Sequence, residues 1–146
     1  MRRASHAKNY MNAVDTNILI YVHDSRDPRK QAIADALVQS LPDAVLLWQV
    51  ACEYIAASRK LVPLGYSHER AWQDIHKLQK VWLAELPTWE ILYRAEELLQ
   101  RYSLSSWDAL IVAACLDGGV KRLYSEDFDS SVRAEELEVI NPFKSS

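Results

Sequence analysis

Short apolar runs alternate along the chain with stretches in which apolar residues return every three or four positions. Asn12-Ala13-Val14-Asp15 reads as a short buried strand ending in an acid. Residues 16–23 follow as a helix with Ile18, Leu19 and Val22 on one side. Asp27-Pro28 marks the next helix start, since a first-turn amide is unpaired anyway and proline lacks one. Ala32, Ile33, Ala36 and Leu37 form its apolar stripe. Ala44-Val45-Leu46-Leu47-Trp48 is a continuous apolar run of strand length, preceded by the turn pair Pro42-Asp43, and residues 50–61 return to helix.

Pro63-Leu64-Gly65 breaks the chain and Ser67 opens a further helix. There Trp72, Ile75, Leu78 and Trp82 recur at three- and four-residue steps, with Arg70, Lys77 and Lys80 on other faces. Pro87-Thr88 caps a helix carrying Ile91, Leu92, Ala95, Leu98 and Leu99 on one face. Ser105-Ser106-Trp107-Asp108 begins another, and residues 109–116 are apolar all round, as a central buried helix requires. Asp117-Gly118-Gly119 ends it, and 122–125 and 137–140 are the last strand candidates. Strands alternating with helices predict an α/β domain with a mainly parallel sheet, whose ligands collect at the carboxyl ends of the strands.

Composition narrows this little. The 146 residues are 49% apolar and 25% charged, with three glycines and five prolines, which fits one globular domain and excludes linker-rich classes. Residues 1–10 read as an unstructured basic leader, 11–142 as the domain and 143–146 as a tail. The leader lacks the apolar run of a signal peptide, and no stretch reaches the length of a membrane span. Cys52 and Cys115 are too few for a disulfide framework and are expected as small core residues. A reducing cytoplasm is the default address.

Charge changes the picture more. The net charge of −3 speaks against a protein that simply coats nucleic acid, but the mean conceals blocks: residues 59–84 carry +3 and 85–138 carry −7. Four acids stand where the fold makes position matter. Asp15 ends the first strand, Glu53 lies among Val50, Ala51, Cys52, Tyr54 and Ile55, Asp108 sits in the first turn of the apolar helix, and Asp127 follows the strand ending at Ser125. Singly, Asp15 reads as a helix cap, Asp108 as a helix-dipole partner, and Asp127 and Asp129 as turn residues. Glu53 resists such a reading, because a charge among apolar neighbours is seldom left unpaired. Together, converging carboxylates repel unless a cation intervenes, and hard oxygen donors without His or Cys suit Mg²⁺ or Mn²⁺. Such ions activate water and stabilise the leaving oxygen of a phosphodiester. His23 and His76 show no ligand spacing and read as structural.

At these residues the sequence resembles the PIN-domain family, and within it the VapC-type toxins of bacterial toxin–antitoxin pairs. Val14-Asp15-Thr16-Asn17-Ile18-Leu19-Ile20 is similar to the family's opening motif, Glu53 stands at its second acid, and Trp107-Asp108-Ala109-Leu110-Ile111-Val112-Ala113-Ala114 resembles its most distinctive segment. Leu123-Tyr124-Ser125-Glu126-Asp127-Phe128 resembles the turn with the fourth acid, which leaves Glu126 or Asp129 open to share that role. Successive acids are 38, 55 and 19 residues apart. The resemblance implies a three-layer α/β/α sandwich, a catalytic and metal-binding set of Asp15, Glu53, Asp108 and Asp127 supported by Thr16, Asn17, Ser125 and Asp129, and Mg²⁺- or Mn²⁺-dependent ribonuclease activity. It also implies a homodimer and inhibition by a cognate antitoxin whose arginine approaches the acids.

An RNA substrate calls for cations near the acids, for which Arg59, Lys60, Arg70, Lys77 and Lys80 are candidates beside their reading as a solvated face. Tyr21, Trp48 and Trp107, close in sequence to the acids, are candidates for stacking bases or for core. Helices bearing Trp72 and Trp82, or Trp89, offer apolar surface to a second copy or an antitoxin. Two other classes stand beside the nuclease. An Mg²⁺-dependent phosphotransfer enzyme or phosphatase also uses strand-end acids, although Asp15-Thr16-Asn17 lacks a D-x-D second acid. A non-catalytic PIN-like scaffold leaves the acids as caps.

Overall fold

Among the described residues, six strands form one sheet in the order β3-β2-β1-β4-β6-β5. The computed structural model describes residues 12–128 and 133–144; the leader at 1–10 and Asp129 lie outside the described residues. The elements are β1 (Asn12–Val14), α1 (Thr16–Tyr21), α2 (Pro28–Gln39), β2 (Val45–Leu47), α3 (Trp48–Ala57), a 3-10 segment (Ser58–Leu64), α4 (His68–Val81), β3 (Leu83–Glu85), α5 (Trp89–Arg101), α6 (Ser106–Asp117), β4 (Arg122–Tyr124), β5 (Arg133–Ala134) and β6 (Leu137–Ile140). All strand pairs are parallel except β5 with β6. Helices α1, α2, α3 and α4 pack on one another, and α5 packs on α6. The α/β/α architecture with a mainly parallel sheet is the one the sequence predicts.

Helix starts are where local chemistry places them. Asp27 caps α2 by accepting from the Lys30 amide, with Pro28 at the first helical position. Ser67, Thr88 and Ser105 each accept an amide three residues on, opening α4, α5 and α6. Helix α6 buries Ala109, Ile111, Val112, Ala113 and Cys115, as its all-round apolar sequence requires. Helix α5 buries Ile91, Ala95 and Leu98 but leaves Leu92 and Leu99 exposed.

Three expectations need correction. The helix read across 50–61 begins at Trp48 and ends at Ala57, then tightens into the 3-10 segment around Pro63, with Gly65 closing it in the left-handed region at φ 96°. Trp82 does not continue the stripe of α4. Its backbone is extended, its indole is buried, and its Nε1 donates to the Leu41 carbonyl at 2.7 Å. That bend releases β3 onto β2, an edge strand that the short and weakly β-forming Leu83-Ala84-Glu85 gave no means of foreseeing. Cys52 is exposed rather than in the core, whereas Cys115 is buried. The apolar run Val50-Ala51-Cys52 does not by itself show which of its residues faces solvent.

Phe143 is buried and meets Tyr21 edge-on, at 5.0 Å between ring centroids. Among the described residues, no helix is long and apolar enough to cross a membrane.

Candidate active site

Strand order places the site. Central β1 has β2 on one side and β4 on the other, so the connections diverge there and open a crevice at the carboxyl ends. The register sets Val14 against Tyr124, so that the next residues along each strand, Asp15 and Ser125, face one another. The Asp15 amide donates to the Tyr124 carbonyl at 2.8 Å.

Asp15 is only 6% exposed. Its Oδ1 accepts from the Thr16 amide at 2.7 Å and its Oδ2 from the Ser125 hydroxyl at 2.8 Å. Ser125 Oγ also accepts the Asp127 amide at 3.1 Å, so one buried hydroxyl ties the first acid to the backbone of the fourth. Thr16 Oγ1 donates to Glu53 Oε1 at 3.1 Å, and Gln49 Nε2 reaches Glu53 Oε2 at 3.4 Å. Asp108 is positioned by its helix cap, its amide donating to Ser105 Oγ at 3.1 Å. Asn17 Oδ1 accepts the Glu126 amide at 3.4 Å, while its Nδ2 is buried with no partner among the described residues.

Electrostatics links the acids. Burial pushes Asp15 up to about 6; the Ser125 and Thr16 donors oppose this, and the charges of Asp127 and Glu53 add to it. Asp108 is raised for the same first reason, with Ser105 opposing and Asp127 and Glu53 adding. Among the described residues, no cationic side chain is among the groups shifting either. The four predicted acids therefore share one field. They do not stand in ligand contact with one another: among the described residues, no three carboxylate, imidazole or thiol groups form a ready-made metal cage.

Glu126, the turn's other described acid, has partners of its own. Glu126 pairs with Lys30 Nζ and accepts from the Tyr21 hydroxyl at 2.6 Å, and Lys30 in turn lies over the Tyr21 and Phe143 rings. Arg59, Lys60, Arg70, Lys77 and Lys80 are all exposed, and among the described residues none forms an ion pair with the four acids. The Arg70 guanidinium lies over the Tyr66 ring and 3.8 Å from Asp74. His23 stacks on Tyr66 at 4.0 Å. Of the aromatic candidates, Trp48 and Trp107 are exposed, while Tyr21 is occupied by Glu126 and Phe143. Sequence reasoning missed Gln49, Ser105 and Lys30. The cap signature before Asp108 and the four-residue step from Gln49 to Glu53 were the available signals for the first two.

A parallel sheet whose switch point carries acids and supporting hydroxyls at the carboxyl ends of its strands defines the class, that of α/β domains with a carboxylate-lined crevice. The model of the PIN domain family matches residues 13–136, most of the chain and all four acids, and the chain belongs to that family. Its fold is similar to that of VapC20 of Mycobacterium tuberculosis, described as a sarcin-ricin loop cleaving toxin. The TM-score is 0.62 at 24% identity, over 81% of this chain and 91% of that one. It is also similar to a chain of a toxin–antitoxin complex from Klebsiella pneumoniae, with a TM-score of 0.64 at 19% identity, over 88% of this chain and 95% of that one. No curated protein matches the chain.

Proposed function

We propose that the chain is a metal-dependent endoribonuclease, the toxin of a toxin–antitoxin pair, hydrolysing RNA phosphodiester bonds at the site of Asp15, Glu53, Asp108 and Asp127. The observation that carries this reading is the buried Asp15 carboxylate, pushed up to about 6 by burial and by the charges of Asp127 and Glu53. A carboxylate so placed gains most from a divalent cation. The donor set fits Mg²⁺ or Mn²⁺, being all hard oxygens, and Mg²⁺ retains several waters and so needs few direct carboxylates. When bound, such an ion supplies positive charge to a phosphate and acidifies a water.

The chain's own residues do the rest. Ser125 and Thr16 hold both Asp15 oxygens, which fixes the carboxylate against rotation. Thr16 and Gln49 restrain Glu53, and the Ser125–Asp127 contact fixes the turn that carries the fourth acid. Arg59, Lys60, Arg70, Lys77 and Lys80 supply contacts to flanking phosphates, a homodimer and a cognate antitoxin complete the assembly, and the cytoplasm is its compartment. The activity named for VapC20 and the assembly named for the Klebsiella complex support the toxin reading.

The test is cleavage of cellular RNA by the purified chain with Mg²⁺ or Mn²⁺. Cleavage is expected to stop on chelation and in Asp15→Asn and Asp108→Asn. Equal cleavage by those variants and the parent would overturn the proposal.

A further inference from the structure

One apolar groove of the molecule is lined by exposed indoles. Trp48, Trp89 and Trp107, which are 53%, 70% and 65% exposed, line one groove of about 430 Å³ together with Leu86, Gln49 and Thr88. That volume is in the usual range for small-ligand sites, roughly 300–1,000 Å³. Exposed indoles gathered in one place mark a binding surface rather than ordinary surface scatter.

The groove borders the two helices that carry Glu53 and Asp108. Trp48 is the first residue of α3, the helix that carries Glu53, and Trp107 directly precedes Asp108 in α6. Gln49 lines the groove and contacts Glu53 at 3.4 Å. A strand with its phosphodiester at the acids therefore has a neighbouring nucleotide within reach of the indoles. From this placement we infer that the groove takes unpaired bases of the RNA substrate flanking the cut, stacked on Trp48 and Trp107, with Gln49 and Thr88 offering hydrogen-bonding groups to base edges. The inference rests on the ribonuclease reading above. Flat aromatic faces suit bases of any sequence, whereas polar groups at the rim introduce preference. Tyr21, the third aromatic candidate from the sequence, is already engaged by its bond to Glu126 and its contact with Phe143.

Trp48→Ala, Trp107→Ala and their Phe counterparts test this against the parent and Asp15→Asn, with cellular RNA as probe and sequencing of the new ends as readout. A short RNA spanning a mapped cut supplies the kinetics. Each Ala variant is expected to lose roughly tenfold in kcat/KM, mainly through KM, and to relax the base preference beside the cut; each Phe variant is expected to recover most of both. Circular dichroism verifies that the variants fold. If the parent cuts and the Ala variants cut at the same rate with the same flanking bases, the groove proposal is overturned and the ribonuclease reading stands. Loss of self-association or of a protein partner with unchanged cleavage likewise overturns it and makes the groove a protein interface. If the parent cuts no RNA, both proposals fail together.

Discussion

The Ser125 hydroxyl donates to Asp15 Oδ2 at 2.8 Å while accepting the Asp127 amide at 3.1 Å, joining positions 110 residues apart in a buried contact. Ser125→Ala removes both bonds. Because the Ser125 donor holds Asp15 down against its burial, the Asp15 pKa is expected to rise further above about 6. The acidic limb of the cleavage pH profile then shifts to higher pH. Leaving Oδ2 and the Asp127 amide without this partner is expected to cost about 1–3 kcal/mol in urea unfolding. An unmoved acidic limb would show that Asp15 does not govern it.

Asp15 also ties stability to pH. Its folded pKa of about 6 lies above its ordinary 3.8, so its contribution is fully present below 3.8 and is lost as pH rises through about 6. The difference corresponds to about 3 kcal/mol of destabilisation at neutral pH without divalent cation. Asp15→Asn is expected to melt several degrees above the parent at pH 7.5, with the gap closing towards pH 4. Mg²⁺ is expected to raise the parent's melting temperature at pH 7.5 more than the variant's. Thermal melts across that range check both, and a variant no more stable than the parent at pH 7.5 contradicts the first.

Lys30 holds the turn that carries Asp127 from outside through Glu126. Lys30→Ala is expected to cost about 1 kcal/mol and to lower cleavage a few-fold as the turn loosens. Adding Glu126→Gln removes the stranded charge and is expected to recover part of the stability. A double-mutant cycle in urea reads the coupling, and strict additivity would mean that the pair does not hold the turn.

The two thiols should part company. Cys52 is exposed, with burial and then Glu53 raising its pKa, and Cys115 is buried. A thiol reagent under native conditions is expected to titrate one group per chain, slowly at pH 7 and faster at higher pH, and two in denaturant.

Local bonds were legible in the sequence. Asp27, Ser67, Thr88 and Ser105 cap their helices because each side chain meets an amide three residues on, which spacing alone dictates. The strand ends at Asp15 and Ser125 were legible too, since apolar runs stop there. The contacts between them were not. Parallel register brings Ser125 onto Asp15, the Trp82 bend makes β3, and Lys30 draws Glu126 away from the remaining acids of the site across 96 residues. The sequence by itself determined where the acids lie along the chain and where α2, α4, α5 and α6 begin. Only the tertiary structure decided how the acids are supported and that Trp48 and Trp107 share a groove. Both depend on strand order and helix packing, which no spacing along the chain encodes.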